Sequence, residues 1–276
     1  MARLILLNMP IGDMADMTSR VRDALQTGEC FAVEDTRSFR EVLGRLGVSS
    51  QDKHILSLHD QSSEAKFERL LDVIHQGRDL YVVSEAGSPV LSDPAYPLVK
   101  LAYEKGVSVD SYSGISAVTM ALELSGLPPL PFHFHGFLPR DAGRIRAYFS
   151  TLGSGTHIFF EAPNRVKETI DEARGLWPEA SLVVIKEMCK TFQRVYRFSA
   201  GKAPAEWGEV VERGEFVWLV HLEQDMRPRV PRELTQLAED ILVQGAGNKA
   251  ISRLLGEILD RPAKEIYSLM SRNLKD

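Results

Sequence analysis

Along the first 112 residues, short apolar runs alternate with stretches whose apolar residues recur every three or four positions. The runs Leu4–Leu7, Cys30–Val33, Ile55–Leu58, Leu80–Val83 and Val107–Tyr112 predict strands. Between them the spacing predicts helices over Thr18–Gln26, Phe39–Leu46, Glu64–His75 and Tyr96–Lys105. In Glu64–His75, Phe67, Leu70, Leu71 and Ile74 share one helical face, and Gly77 supplies the stop. Ser38 is the expected cap of Phe39–Leu46, with Gly47 after its end. Such alternation predicts a mostly parallel sheet with helices on its faces.

From Ser113 the pattern changes. An apolar helix is expected at Ala117–Leu124, then a rigid connection through Gly126–Pro131. Strands are expected over residues 132–138 and 156–160, with the helix Ala142–Thr151 between them. Pro163 suits the first position of a helix running to near Arg174. Leu182–Ile185, Val195–Phe198 and Phe216–His221 read as further strands, and their adjacency suggests a mixed sheet. The prolines of Met226–Arg232 mark a linker, followed by helical patterns at Glu233–Val243, Lys249–Ile258 and Ala263–Asn273. The expected organisation is an N-terminal α/β domain (1–112), a second α/β domain (113–225), and a linker with a small helical extension (226–276).

Composition narrows the class. The chain of 276 residues is 44% apolar and 26% charged, as in water-soluble globular proteins. No run approaches the ~18 apolar residues that span a bilayer, so no membrane association is expected. Leu4–Leu7 reads as a first strand rather than the apolar centre of a signal peptide. Cys30 and Cys189 form neither a disulfide framework nor a metal spacing, and a reducing cytoplasm fits. The net charge of −5 argues against nucleic-acid binding by the whole surface. From Arg227 to Asp276, however, nine Lys/Arg face seven Asp/Glu, so that tail is +2 and the remainder −7. A weakly basic tail permits a nucleic-acid contact without demanding one.

Four strand-end loops are rich in small and polar residues: Met9–Asp13, Glu34–Arg37, Ser84–Pro94 and Ser113–Ala117. In a parallel sheet such loops share one edge, where open α/β sheets bind ligands. Glu161–Arg165 follows a strand of the second half and can face the same cleft. Gly87 would let a ligand approach the backbone, and Glu85 is an acceptor suited to a ribose hydroxyl or an amine. An ordinary strand-to-helix turn would have a similar composition. No dinucleotide or P-loop glycine pattern is present. His133 and His135 share a strand face, but no metal-ligand cluster accompanies them. Glu34, Asp35 and Arg37 offer two acids and a guanidinium in one turn; a local Asp–Arg pair that shapes the loop is the alternative.

Taken in order, the loops resemble the tetrapyrrole methylase superfamily, and within it the ribosomal RNA small subunit methyltransferase I family. Pro10-Ile11-Gly12 looks like the first loop of that family, and Glu34-Asp35-Thr36-Arg37 matches its second motif without change. Ser84–Pro89 with Ser92-Asp93-Pro94 is similar to its central signature, and Phe159–Arg165 to its second-domain motif. Residues from Asn248 to Tyr267 look like its C-terminal helical extension.

The resemblance implies an α/β fold of two domains, the class III methyltransferase fold, with a small C-terminal helical extension. It implies a homodimer that binds S-adenosyl-L-methionine and methylates the 2′-hydroxyl of a cytidine in the small-subunit (16S) ribosomal RNA or the 30S subunit. The cofactor residues it points to are Pro10, Ile11, Gly12, Glu85, Ala86, Gly87, Ser88, Ser116 and Ala117, with Phe160, Glu161 and Ala162 as a weaker match. Deprotonation of a ribose hydroxyl calls for a base or positive charge, and Glu34, Asp35 and Arg37 are the candidates, with Glu187 and Lys190 from the second half. Lys249, Arg253, Lys264 and Arg272 are the candidate RNA-phosphate contacts. The chain departs from the family in carrying Glu85 for Asp, Ser88 for Thr and Asn164 for His. It also has Ser-Gly-Ile-Ser-Ala at 113–117 for Pro-Gly-Pro-Ser-Ala, and Glu-Met-Cys-Lys at 187–190 for Glu-Leu-Thr-Lys. Rival readings are a methylase of a tetrapyrrole or other small molecule, and a non-catalytic adaptor.

Overall fold

The computed structural model describes residues 2–59, 62–210, 212–223, 247–258, 262–264 and 266–267. Strands β1 (Leu4–Leu7), β2 (Cys30–Val33), β3 (His54–Ser57), β4 (Leu80–Val83) and β5 (Val109–Tyr112) form one parallel sheet. Its order, β3-β2-β4-β1-β5, puts β1 between strands made much later in the chain. Period-two alternation divides the strand side chains between two cores. Leu4, Leu6, Leu80 and Val82 pack on helices α3 (Glu64–His75) and α4 (Tyr96–Glu104). Ile5, Leu7, Phe31 and Val33 pack on α1 (Ser19–Thr27) and α2 (Thr36–Arg45). Burial on both faces explains why β1, β2 and β4 read as continuous apolar runs, whereas the edge strands β3 and β5 are partly exposed.

The second sheet has the order β6-β7-β10-β8-β9. Its members are β6 (Phe132–Phe137), β7 (Gly155–Glu161), β8 (Ser181–Lys186), β9 (Arg194–Ser199) and β10 (Phe216–Leu222). Only β6 and β7 run parallel, so the sheet is mixed, as the adjacency of its strands predicts. One face packs on α5 (Ala117–Ser125) through Val118 and Ala121 against Ile158, Val183 and Leu219, and Ile11 of the first half joins that core. The other face is aromatic. His135 stacks on Phe159 at 4.7 Å, Phe159 on Trp218 at 4.3 Å, and Phe149 meets Trp218 edge-on. Beside this column His157 bonds the Gly153 carbonyl (2.9 Å) and His135 (2.9 Å), and His135 bonds the Tyr148 hydroxyl (2.7 Å). These are packing partners; among the described residues no group of His, Cys, Asp or Glu is arranged to hold a metal ion.

Both sheets lie in one compact unit, Met1–Asp225, and Met226–Asp276 forms a second. In that second unit a helix spans Asn248–Ile258, and Ala263, Lys264, Ile266 and Tyr267 are helical. The expected linker over 226–232, the expected helix Glu233–Val243 and the end of Ala263–Asn273 lie outside the described residues. Among the described residues no helix is long and apolar enough to cross a membrane.

Two helix starts differ from the sequence reading by three residues. Helix α2 begins at Thr36, not Phe39, because Asp35 caps it rather than Ser38: its Oδ1 accepts the Arg37 and Ser38 N–H groups at 2.6 and 3.1 Å. After α6 (Ala142–Phe149), helix α7 (Val166–Leu176) begins three residues after Pro163. The Ala162 carbonyl accepts the N–H of both Arg165 and Val166, so a tight turn precedes the helix.

Candidate functional site

The loops after β1, β2, β4 and β5 emerge at the carboxyl edge of the parallel sheet, and backbone bonds sew the first and third together. Met9 and Gly87 exchange both their N–H···O bonds, at 2.9 and 3.0 Å. The buried Ser84 hydroxyl donates to the Gly87 carbonyl at 2.7 Å, closing the loop on itself. Gly87 sits at φ +67°, a left-handed conformation that favours glycine. Gly12 is needed for a different reason. A Cβ there would come within 2.4 Å of the Cys189 carbonyl oxygen, so the first loop lies directly against the turn after β8.

A cavity of about 530 Å³ opens where these loops face the second sheet. Of the cofactor residues expected from sequence, Ile11, Glu85, Ala86, Gly87 and Ser88 line it from the first half. Ser116, Ala117, Phe160, Glu161 and Ala162 line it from the second. Pro10 and Gly12 do not; they hold the loop behind it. Glu161 is 2% exposed, and its carboxylate is engaged by the Thr169 hydroxyl (2.7 Å), the Ala162 N–H (2.8 Å) and Arg165 (3.4 Å). It therefore braces the β7–α7 corner and presents no free acceptor.

The motif Glu34-Asp35-Thr36-Arg37 is split by its geometry. Glu34 lines the cavity. Asp35 is committed to capping α2, and the Ser38 and Arg37 N–H groups hold its carboxyl below the usual carboxylate range. Arg37 has an 88% exposed side chain that pairs with Glu41 at 3.5 Å. Neither Asp35 nor Arg37 lines the cavity, so the structure does not bring the three together.

The other expected pair, Glu187 and Lys190, does not line the cavity either; it sits behind Glu215, which does. Lys190 bonds Glu187 (3.3 Å) and Glu215 (3.0 Å), and Glu187 also accepts the Glu215 N–H at 2.9 Å. Burial works against the charge of Lys190, but Glu215 and Glu187 outweigh it and hold its pKa above the ordinary lysine value. Burial likewise opposes the ionised Glu187, and the Glu215 N–H and Lys190 outweigh it, so its pKa lies below the usual carboxylate range. The turn is strained: Glu187 and Cys189 have φ +53° and +59°.

The sequence does not point to part of the lining, including Phe137, Met188 and Gly214–Val217. The other candidate loops all follow the carboxyl ends of strands. β10 is antiparallel to β7 and β8, and Phe216 pairs with both Glu161 and Lys186. The start of β10 therefore reaches the same edge as the ends of its neighbours, which only the topology reveals. Of the expected RNA contacts, Lys249, Arg253 and Lys264 are exposed in the second unit, and Arg272 lies outside the described residues.

Comparison with known proteins gives this cavity a family. The model for the tetrapyrrole (corrin/porphyrin) methylases matches residues 3–204. Proteins named ribosomal RNA small subunit methyltransferase I are similar over most of the chain. The relative from Halalkalibacterium halodurans is 30% identical, covering 96% of this chain and 93% of its own. That from Streptococcus pyogenes serotype M3 is 29% identical with the same coverage. That from Mycobacterium bovis is 37% identical over 71% of this chain and 70% of its own. Among solved structures, a diphthine synthase aligns with a TM-score of 0.58 and 16% identity, over 83% of this chain and 95% of its own. A uroporphyrin-III-C-methyltransferase from Thermus thermophilus aligns at 0.53 and 16%, over 80% and 94%. These two show the shared fold. Since the family model spans residues 3–204 of 276, the chain belongs to the tetrapyrrole (corrin/porphyrin) methylase family.

Proposed function

We propose that this protein is an S-adenosylmethionine-dependent methyltransferase acting on the ribose 2′-hydroxyl of a cytidine in small-subunit ribosomal RNA. The observation that carries the proposal is similarity along 96% of the chain to enzymes named for small-subunit ribosomal RNA methylation. The cavity suits the cofactor. Its volume of about 530 Å³ is within the ~300–1,000 Å³ usual for small-molecule sites. Ile11, Val118, Phe160 and Val217 supply apolar walls for a purine face, and Glu85 supplies an acceptor for hydroxyl or amino groups. Gly87 contributes bare backbone to the lining, at a position where a Cβ would stand 3.3 Å from Ile11.

Bound there, the cofactor supplies an activated methyl group, so the protein's chief task is alignment. Of the three residues of the second loop, Glu34 is the one at the cavity and is the proposed acceptor of the hydroxyl proton. Lys190 stands behind the lining residue Glu215 and stays an ammonium, because Glu215 and Glu187 stabilise its charge; its proposed role is to lend positive charge to the site from there, not to remove a proton. Lys249, Arg253 and Lys264 are proposed phosphate contacts. The proposal includes action in the cytoplasm as a homodimer. Tyr96 and Tyr103, a helical repeat apart on α4 and 61% and 67% exposed, support an uncovered face there.

The test compares ribose methylation of small-subunit RNA from cells with and without the gene, then adds purified protein and cofactor to the unmethylated 30S particle. A gene-dependent 2′-O-methylcytidine restored in vitro is the expected result. Absence of any gene-dependent ribose methyl group, or no cofactor binding by calorimetry at near-millimolar concentration, overturns the proposal.

A further inference from the structure

Near its end β6 slips against β7: Phe134 pairs with Ile158, but Phe137 pairs with Phe160. Three residues of one strand thus run beside two of the other. In a regular strand Phe137 would share the face of His133 and His135. The bulge reverses its parity and places it with Phe134. Both rings then meet Phe160 near edge-on, at 4.9 and 5.6 Å between centroids. Gly136 adopts φ +65° to make the reversal, a conformation that L side chains rarely take. Bulges of this kind recur beside functional sites, where they re-aim a side chain.

The re-aimed ring lines the cavity and yet is 60% exposed, as is Leu91 at 44% on the same lining. Its mount is stiff. Two residues on, the Pro139 carbonyl accepts from Arg165 at 2.6 Å, and Arg165 also pairs with the buried Glu161. The fold therefore fixes an open aromatic face at the mouth of the cavity.

We propose that Phe137 is the stacking platform for the unpaired base of the acceptor nucleotide. The inference rests on the RNA-methyltransferase reading above. A ribose hydroxyl cannot enter a walled cavity while its base remains stacked in a helix. The base must leave that stack, and RNA-binding proteins replace the lost contact with an aromatic face. Phe137 offers that face at the entrance, with Phe160 behind it.

The test is steady-state methylation of unmethylated 30S particles by the full chain and its F137A, F137L and F137W variants, with RNA and cofactor varied separately. Calorimetry with S-adenosylmethionine and light scattering accompany the kinetics. F137A and F137L are expected to raise KM for RNA by about tenfold or more. F137W, which keeps a π face, stays within about threefold of the parent. Because Phe137 also lines the cofactor cavity, cofactor Kd is measured for every variant and the RNA KM is compared at saturating cofactor. An unaltered RNA KM in F137A overturns the proposal, as does an equal loss in F137W and F137L. Dissociation of a dimer in F137A, with RNA KM recovering at high protein concentration, also overturns it and assigns Phe137 to contact between copies. If the parent protein binds cofactor but methylates no RNA, the RNA reading itself fails and takes this proposal with it.

Discussion

Acid should weaken this protein through the histidine chain behind the second sheet. The direction of every proton in that chain follows from one carbonyl. The Gly153 oxygen can only accept, so His157 donates from Nε2. Neutral His157 then has a lone pair on Nδ1, which takes the Nε2–H of His135. His135 in turn accepts the Tyr148 hydroxyl at Nδ1. Protonating His157 would set two N–H groups against each other. Burial, then the neighbouring His157 and His133, lower the pKa of His135 to about 4. Burial also lowers that of His157. An unfolded histidine titrates near 6.5, so between about 6.5 and 4 the unfolded chain binds more protons. Stability is therefore intact above that window and falls as pH drops through it. At about 1.4 kcal/mol per pH unit of separation, His135 alone costs about 2 kcal/mol by pH 5 and about 3 kcal/mol at the limit. Urea unfolding at pH 7.5 and pH 5.0, run on the parent and on His135→Phe, isolates this term because other titrations are common to both. The parent should lose about 2 kcal/mol more than the variant. Parallel losses would refute the reasoning, as would a His135 titration near pH 6 by NMR.

Other consequences can be measured separately. Gly12→Ala forces a methyl group onto the Cys189 carbonyl and should cost about 1–3 kcal/mol, seen in thermal melts, with weaker cofactor binding by calorimetry. Asp35→Ala should lower the melting temperature by about 3 °C by uncapping α2 while leaving cofactor Kd unchanged; a catalytic loss without a stability loss would contradict the capping role. Lys190→Met should lower kcat by about 10- to 100-fold with little change in cofactor Kd, and an unchanged kcat would remove Lys190 from the chemistry. Reversing Lys249 and Arg253 together should flatten the dependence of log RNA affinity on log salt by about 1–2, measured by filter binding.

The parallel half was legible because its signals are local. Leu4–Leu7 and Glu64–His75 have the bounds that apolar spacing predicts, since a strand buried on both faces and a one-faced helix each leave a simple period. The loops at Gly87 and Ser116 were legible for the same reason: small residues end a strand run. Capping was misplaced by three residues because Asp35 and Ser38 are both good caps, and only the backbone geometry chooses between them. Less of the second half could be read. That Phe137 faces the cavity depends on a register slip against β7, where its partner is Phe160. That Phe216 and Val217 form a wall depends on the direction of β10. Neither property is written in a run of neighbouring residues.

The position of β10 also sets when the protein becomes competent. It is the last strand of its sheet to be synthesised, and it lies between β7 and β8. Until residues 216–222 emerge, β8 and β9 can pair as an antiparallel hairpin, and β6 can pair with β7, but no strand joins the two pairs. Each keeps an unpaired apolar edge, the kind of surface that captures other chains. The cavity meanwhile lacks the wall that Phe216 and Val217 provide. A nascent chain stopped short of Phe216 is therefore both prone to aggregate and unable to hold cofactor, and binding capacity arrives in one late step rather than by degrees.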